Sequence, residues 1–426
     1  MEAIGIDIGT TSICAVVLDT GSGEVIRSVS ENSDAFIETD KDYEKIQSTE
    51  KIIEVALELI DSLITDKTAV IGVTGQMHGI AYTDKDGKAA SPLYTWQDGR
   101  GNLEYKNGIT YAKHLGSFTG YGLVTDFYNR ENRLRPESAV GFCTIHDYLV
   151  MRLCGLSKAN VHISDAASFG NFCLETEKFN IDCNVDVCKE FVLAGEYKGI
   201  PVSVAIGDNQ ASVLSTIRED DVLINVGTGS QISVVSDKII ECEGIETRPY
   251  FEGKYLVVGS ALCGGRAYAI LKDFYKRIFL YKGDISDNEV YSIMGEMVRS
   301  SVVSLNVDTR FSGTRGNESI KGSVSGITPE NLTPEALTAG VLEGMIDELL
   351  LMLDKMGAVR SGLVGSGNGI RKNEFLKTVA EKRLRRNMRI PKNTEEASLG
   401  AAIYACIAKG IYKNLDEATK IAVKYQ

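Results

Sequence analysis

The sequence predicts an α/β protein built from two related domains, and three observations carry that reading. First, residues 4–19, IGIDIGTTSICAVVLD, are echoed by residues 222–237, VLINVGTGSQISVVSD, at a constant offset of 218. Seven of the sixteen positions are identical, among them Gly9/Gly227, Thr10/Thr228 and Ser12/Ser230. Each copy reads apolar strand, Gly-Thr turn, apolar strand. One supersecondary unit recurring half a chain away points to two related domains rather than to chance. Second, strand-like and helix-like stretches alternate, which puts helices on the faces of mixed sheets. Third, 426 residues exceed the ~100–200 of one ordinary domain.

In chain order, the first copy is followed by the turn Thr20-Gly21-Ser22-Gly23 and a strand over 24–30; the second predicts a strand over 238–242. Residues 49–64 place Ile52, Ile53, Val55, Ala56, Leu59, Ile60 and Leu63 at helical spacing, and 69–73 is a short apolar strand. Residues 202–206 form a strand leading into a small-residue helix. The charged run Arg218-Glu219-Asp220-Asp221 then marks a boundary, giving domains 1–218 and 219–426. Residues 334–356 make a second long helix, followed by a Gly-bounded strand at 363–364. Helices over 398–408 and 416–423 complete the second domain.

Composition narrows the function. Apolar residues are 43% and charged residues 24%, as in a globular protein, and the net charge is −12. A net acidic chain has no bulk attraction for nucleic acid or anionic lipid, so an anionic ligand must be held by local geometry. Gly occurs 42 times, above the roughly 7% average, without a repeat or low-complexity tract, so it marks specific tight backbone sites. The nine cysteines include no CxxC and do not group with the four histidines, which excludes a disulfide framework or zinc site. Met1–Gly5 lacks a basic leader and no uncharged run spans a bilayer. The expectation is a cytoplasmic protein with no membrane partner.

A Gly-Thr turn between strands gathers backbone N–H groups into a nest that binds phosphate without net positive charge. Asp7 ends the first strand beside Gly9, Thr10 and Thr11, where a carboxylate can hold Mg²⁺ through water. Asn225 is its neutral counterpart beside Gly227, Thr228 and Gly229. Neither turn is a Walker A loop or a dinucleotide fingerprint, because a strand follows each. One such turn would be an ordinary hairpin; one in each half favours a pair of phosphate clamps. A third cluster, Gly365-Ser366-Gly367-Asn368-Gly369, follows a strand and precedes a helix expected near Arg371 or Asn373. It permits close backbone approach to a ligand, or is a plain strand–helix loop.

Asp208, in Gly207-Asp208-Asn209-Gln210, stands at a strand end near a helix N-terminus. There a carboxylate can accept the proton of an attacking hydroxyl, or cap the helix; it does not serve both uses well. The loop Thr74-Gly75-Gln76-Met77-His78-Gly79 offers an amide, a thioether and an imidazole, the directional groups and apolar wall that polyol recognition needs. The stretch Trp96-Gln97-Asp98-Gly99-Arg100 holds the sole Trp. Trp96 walls a sugar or packs in the core; Asp98 accepts from sugar hydroxyls or pairs with Arg100.

The elements DIGTTS, TGQMHG, TWQDGR, GDNQ, NVGTGS and GSGNG occur in this order along the whole chain. Together they resemble the FGGY carbohydrate kinases, in their xylulokinase- and sedoheptulokinase-like branch. The resemblance implies two ribonuclease-H-like domains around a cleft, with the sugar on the first, ATP mainly on the second, and a homodimer. It assigns Asp208 as catalytic base, and Gln76, Met77, His78, Trp96, Asp98, Arg100 and Asn209 to the sugar. Gly9, Thr10, Thr11, Gly227, Thr228, Gly229, Gly365, Ser366, Gly367 and Asn368 would hold ATP, and Asp7 its Mg²⁺. The implied reaction is phosphorylation of a terminal ketose hydroxyl. TWQDGR favours a seven-carbon ketose, with xylulose or another polyol as the alternative and a catalytically silent sugar sensor as a different class. The segments His146-Asp147-Tyr148-Leu149, 164–168, 309–315 and Glu343-Gly344 look like further landmarks without a catalytic role. Compared with usual members, the passage between Asp165 and Asp208 is shortened.

Overall fold

The computed structural model describes residues 1–314, 317, 319–357 and 361–426. Within them the chain forms two compact units. The first comprises Met1–Arg218, Arg248–Gly253 and Asn393–Lys424; the second comprises Glu219–Thr247, Lys254–Lys392 and Tyr425–Gln426.

The first unit is built on strands β1 (Glu2–Ile8), β2 (Ser12–Asp19) and β3 (Glu24–Asn32), joined by hairpin turns. Helix α1 (Thr49–Leu63) begins where the Ser48 side chain accepts from Lys51 N–H, and buries Ile52, Ile53, Ala56, Leu59, Ile60 and Leu63. Strand β4 (Thr68–Gly75) returns parallel to β1. Helix α2 (Ile145–Cys154) opens with a Thr144–Asp147 capping box, and α3 (Ile163–Ser168) follows. The expected strand over 202–206 is divided into β6 (Ile200–Ser203), paired antiparallel with β5 (Leu193–Tyr197), and β7 (Ile206–Gly207). Helix α4 (Asp208–Thr216) comes next. The sheet order is β5-β6-β4-β1-β2-β3, with β7 also pairing with β4. Its central strands are buried on both faces, which is why β1 and β4 read as apolar runs rather than alternating ones.

The second unit repeats the pattern. Strands β8 (Asp221–Val226) and β9 (Ser230–Ser236) form the second copy of the hairpin. No strand occupies 238–242. The partner of β9 is β11 (Tyr255–Ala261), reached after β10 (Ile245–Pro249). The apolar pair Ile239–Ile240 was too short to compete with the seven-residue β11, whose alternate residues fill the core. Helices α5 (Gly264–Phe279), α6 (Asp287–Ser300) and α7 (Pro334–Met356) contribute to one apolar core with Ile224, Ile232, Val257, Leu342 and Leu349. Strand β12 (Gly362–Ser366) runs directly into α8 (Gly367–Lys372), then α9 (Glu374–Leu384), capped by Asn373, and β13 (Met388–Arg389). The order is β10-β11-β9-β8-β12-β13. Both sheets therefore set three antiparallel strands beside parallel ones, as the internal repeat requires.

The last helices correct the assignment of 219–426 to one domain. Helix α10 (Glu396–Ala408), with α11 (Leu415–Ala422) behind it, belongs to the first unit. The small face of α10 explains this. A Cβ on Gly5 of β1 would strike the Ser398 carbonyl oxygen, one on Gly72 of β4 that of Ala401, and one on Gly400 that of Ala211 in α4. Backbone-to-backbone packing through three glycines seals α10 between the sheet and α4. No helix of the described residues is long and apolar enough to cross a membrane.

Candidate active site

Parallel strands end at the same sheet edge, and three of them deliver candidate residues there. The registers Asp7↔Thr74, Ile8↔Gly75, Ile206↔Thr74 and Gly207↔Gly75 align the C-terminal ends of β1, β4 and β7. That edge is where open α/β sheets bind ligands. Asp7 ends β1, Gln76 and Met77 follow β4, and Asp208 follows β7.

Asp208 does not serve as the cap of its helix. The N-cap of α4 is Gly207, which makes no side-chain cap, and Asp208 is the first helical residue. Its carboxylate is pushed up to about 6 by burial, with Asp165 adding and the His146 and Arg248 cations opposing. The residue keeps partial solvent exposure, as a group that meets a substrate must. Asp7 is pushed up to about 7 by burial and by the Asp208 carboxylate, with His146 opposing. Burial works against the His146 imidazolium, but the Asp165, Asp147 and Asp208 carboxylates outweigh it and push it up to about 9. His146 Nε2 lies 3.0 Å from Asp165 Oδ1, both side chains fully buried, in an ionic contact that falls short of an aligned hydrogen bond. Two neighbouring carboxylates held near neutral pKa by burial and a shared cation are a common arrangement of acid–base sites.

Backbone packing fixes the site. A Cβ on Gly207 would lie 2.6 Å from Met77 Cε, and one on Gly75 2.9 Å from His146 Nδ1. Gly207 N–H donates to Ser164 Oγ at 3.0 Å. The Asn209 and Gln76 side-chain oxygens are buried without a hydrogen-bond partner, as is Asp7 Oδ1. Such acceptors are costly to leave empty, and they suit a polyhydroxylated ligand. Asp7 likewise suits a hydrated Mg²⁺, because a buried, unpartnered carboxylate oxygen beside a second carboxylate gains from a cation. Among the described residues no three His, Cys, Asp or Glu side chains form a direct metal cage.

The residues expected on the sugar side take different places. His78 adopts a φ of +73°, its Nδ1 is 2.8 Å from the Ser168 carbonyl oxygen, and its ring stacks on Tyr121 at 4.2 Å. Trp96 is not core: it is 47% exposed, and its Nε1 donates to Thr10 Oγ1 at 3.0 Å. Asp98 and Arg100 pair with each other. Both are buried, with Arg100 Nε 2.6 Å from Asp98 Oδ1, and Lys45 N–H donates to Asp98 Oδ2 at 3.1 Å. The Arg100 guanidinium also lies 4.3 Å from the Tyr94 ring centre. As placed, this pair braces the loop that presents Trp96.

In the second unit Gly227-Thr228-Gly229 joins β8 to β9, with Gly227 and Thr228 exposed. The turn is gripped by the start of α5: Gly265 N–H donates to Gly227 O at 3.1 Å and Arg266 N–H to Thr228 O at 3.0 Å. A side chain on Gly264 would strike Gly229, and one on Gly265 the Gly227 carbonyl. Asn225 Nδ2 donates to Ser366 Oγ at 2.7 Å. Gly367 has a φ of +80°, and a Cβ there would lie 2.5 Å from Val226 O. The helix expected near Arg371 or Asn373 therefore begins already at Gly367, because the glycine lets the chain turn directly off β12 against β8. Gly365 and Ser366 are buried and Asn368 is exposed on the first turn of α8. Of the landmark 309–315, Arg315 lies outside the described residues; Thr309 donates to Glu348 at 3.3 Å, and Glu343 pairs with Arg383.

Sequence reasoning assigned no role to His146, Asp165, Gln47 or the Gly264-Gly265 pair. A Gly-Gly step between an apolar strand and an amphipathic helix was a readable signal for the last. The His146–Asp165 pair spans two helices, and no local pattern announces it.

A model of the FGGY family of carbohydrate kinases, N-terminal domain, matches residues 2–189. A sedoheptulokinase of Mus musculus is 28% identical, the alignment covering 88% of this chain and 91% of the relative. A xylulose kinase of Staphylococcus epidermidis is 24% identical over 99% of this chain and 90% of its own length. The crystal structure of Plasmodium falciparum glycerol kinase with ADP superposes with a TM-score of 0.81 at 17% identity, covering all of this chain and 93% of that one.

Proposed function

The chain belongs to the FGGY family of carbohydrate kinases, and from that premise we propose that it phosphorylates a terminal hydroxyl of a ketose with ATP, sedoheptulose ahead of xylulose. The observation that carries this reading is Asp208: a carboxylate freed from capping duty, at the ligand-binding edge of the sheet, with its pKa raised to about 6. A base is most effective when its pKa lies near working pH.

In the proposed reaction the sugar lies against Gln76, Met77, His78, Trp96 and Asn209, whose buried unpartnered oxygens at Gln76 and Asn209 accept from its hydroxyls. Asp98 and Arg100 act behind them by fixing the loop. Asp208 takes the proton of the terminal hydroxyl as its oxygen attacks the γ-phosphorus in line, and ADP leaves. Most of the barrier to phosphoryl transfer is met by alignment and charge neutralisation. In the second unit, the turn Gly227–Gly229 with Gly365–Asn368 would hold ATP through backbone N–H groups, and in the first unit the turn Gly9–Thr11 offers phosphate-binding N–H groups of its own. A hydrated Mg²⁺ at Asp7 would neutralise phosphate charge there. The preference for a seven-carbon ketose rests on the higher identity to the mouse sedoheptulokinase and on TWQDGR.

A coupled assay of ADP release over sedoheptulose, xylulose, ribulose, fructose and glycerol tests the proposal. The largest kcat/KM is expected with sedoheptulose, and Asp208→Asn is expected to lose about 10²–10⁴-fold in kcat. Full sugar-dependent ADP release by that variant would exclude Asp208 as base.

A further inference from the structure

We propose that Gln47 is a positioning residue that transmits occupancy of the sugar loop to the first Gly-Thr phosphate turn; the inference rests on the reading of the protein as a sugar kinase. Gln47 belongs to neither the sugar loop nor the turn, yet its side chain bonds to both. Residues Ile46–Gln47 form a two-residue strand pairing antiparallel with Leu93–Tyr94, and the Gln47 side chain is fully buried. Its Oε1 accepts from Gln76 Nε2 at 3.0 Å, and its Nε2 donates to the Thr10 carbonyl oxygen at 2.6 Å. Gln76 in turn holds Oε1 buried and unpartnered, and its backbone N–H donates to Ile8 O at 2.9 Å. A sugar hydroxyl donating to Gln76 Oε1 therefore completes an unbroken chain: hydroxyl, Gln76 amide, Gln47 amide, Thr10 carbonyl.

A second link reinforces this one. Trp96 donates to Thr10 Oγ1, and the Trp96 loop is tied to the segment that carries Gln47. Thr95 Oγ1 donates to Lys45 O at 2.7 Å, and Lys45 N–H to Asp98 Oδ2 at 3.1 Å. Both sugar-side loops thus fasten on the same threonine. Amide dipoles in series polarise one another, so filling the Gln76 acceptor strengthens the bond that orients the Thr10 peptide. The consequence is that phosphate alignment at the turn improves when sugar is present, which favours transfer to sugar over hydrolysis of ATP alone. Linkage requires the converse as well: nucleotide bound at the turn raises affinity for the sugar.

The test uses the full chain with Mg²⁺–ATP and the best ketose. The measured quantity is the ratio of sugar-stimulated to sugar-free ADP release, with kcat and KM separated. Gln47→Met keeps the length and removes both bonds. Its stimulation ratio and kcat are expected to fall about tenfold, while the sugar Kd, read from fluorescence of the single Trp96, changes less than about twofold. Gln47→Glu is close in shape and keeps the acceptor for Gln76, but cannot donate to Thr10. Assayed at a pH where its carboxyl is ionised, it is expected to show the same loss, and it decides the matter should the Met variant melt early. An unchanged ratio in a folded Glu variant, or a rise in KM alone, overturns the coupling. A wild-type protein with no ketose-dependent ADP release removes the kinase reading and the coupling together, whereas stimulation equal in wild type and variants removes the coupling alone.

Discussion

Asp208 shows how burial and two nearby cations set the properties of a single carboxyl group. Burial disfavours its charge, and His146 and Arg248 restore part of it. A base works deprotonated, so the proposed role of Asp208 implies that kcat/KM rises with pH and levels off above about pH 6. Replacing His146 by Gln removes one of the two favourable cations. The rising limb of the pH–rate profile should then move to higher pH, and an unmoved limb would show that His146 does not act on the base. The same carboxyl group has a stability consequence. Its pKa is higher in the folded chain than its ordinary 3.8, so folding is favoured below the lower value and opposed above the upper one. Asp208→Asn, which the proposed mechanism makes inactive, is therefore expected to be the more stable protein at neutral pH, by up to about 3 kcal/mol, read from thermal or denaturant melts.

At the scale of elements, close backbone packing organises both sheets. Helix α10 lies so near β1, β4 and α4 that Gly5, Gly72 and Gly400 have no room for a methyl group. Gly5→Ala is expected to cost at least about 1–3 kcal/mol, measured by melting, and a neutral result would mean that α10 can move away from the sheet. The turns use glycine differently. Around Gly227–Gly229, the first N–H groups of α5 are spent on the carbonyls of the turn. The helix start thus serves as a clamp on the hairpin, and the turn is left exposed.

For the molecule as a whole, the chain returns to where it began. Residues 393–424 complete the first unit after the second has been made, and Ser398 Oγ donates to Cys14 O across a separation of 384 residues. Residues 1–218 alone are therefore expected to leave the first unit incomplete. A chain ending at Lys392 is expected to lose protection of β1 and β4 in hydrogen exchange while β8 and β9 remain protected. Retained protection in both sheets would contradict the role given to α10.

Much of this was legible in the sequence because it is local. The 218-residue offset between two hairpins revealed the duplication, the spacing of Ile52 to Leu63 gave α1, and Pro334 to Met356 gave α7 to the residue. The glycine turns, GDNQ and GQMHG were legible because short-range backbone geometry demands those residue types in that order. What the tertiary structure decided are relations between distant segments. The strand partner of β9 was settled by which segment could fill the core rather than by which came next. Helix α10 joined the first unit because its small residues match glycines more than three hundred positions earlier. The contacts of Trp96, of the Asp98–Arg100 pair and of Gln47 depended on which polar atoms were brought within 3 Å or so of one another, and a one-dimensional pattern holds no such distances. Sequence determined the elements and the chemistry available; packing determined which of those groups stay open and which hold the others in place.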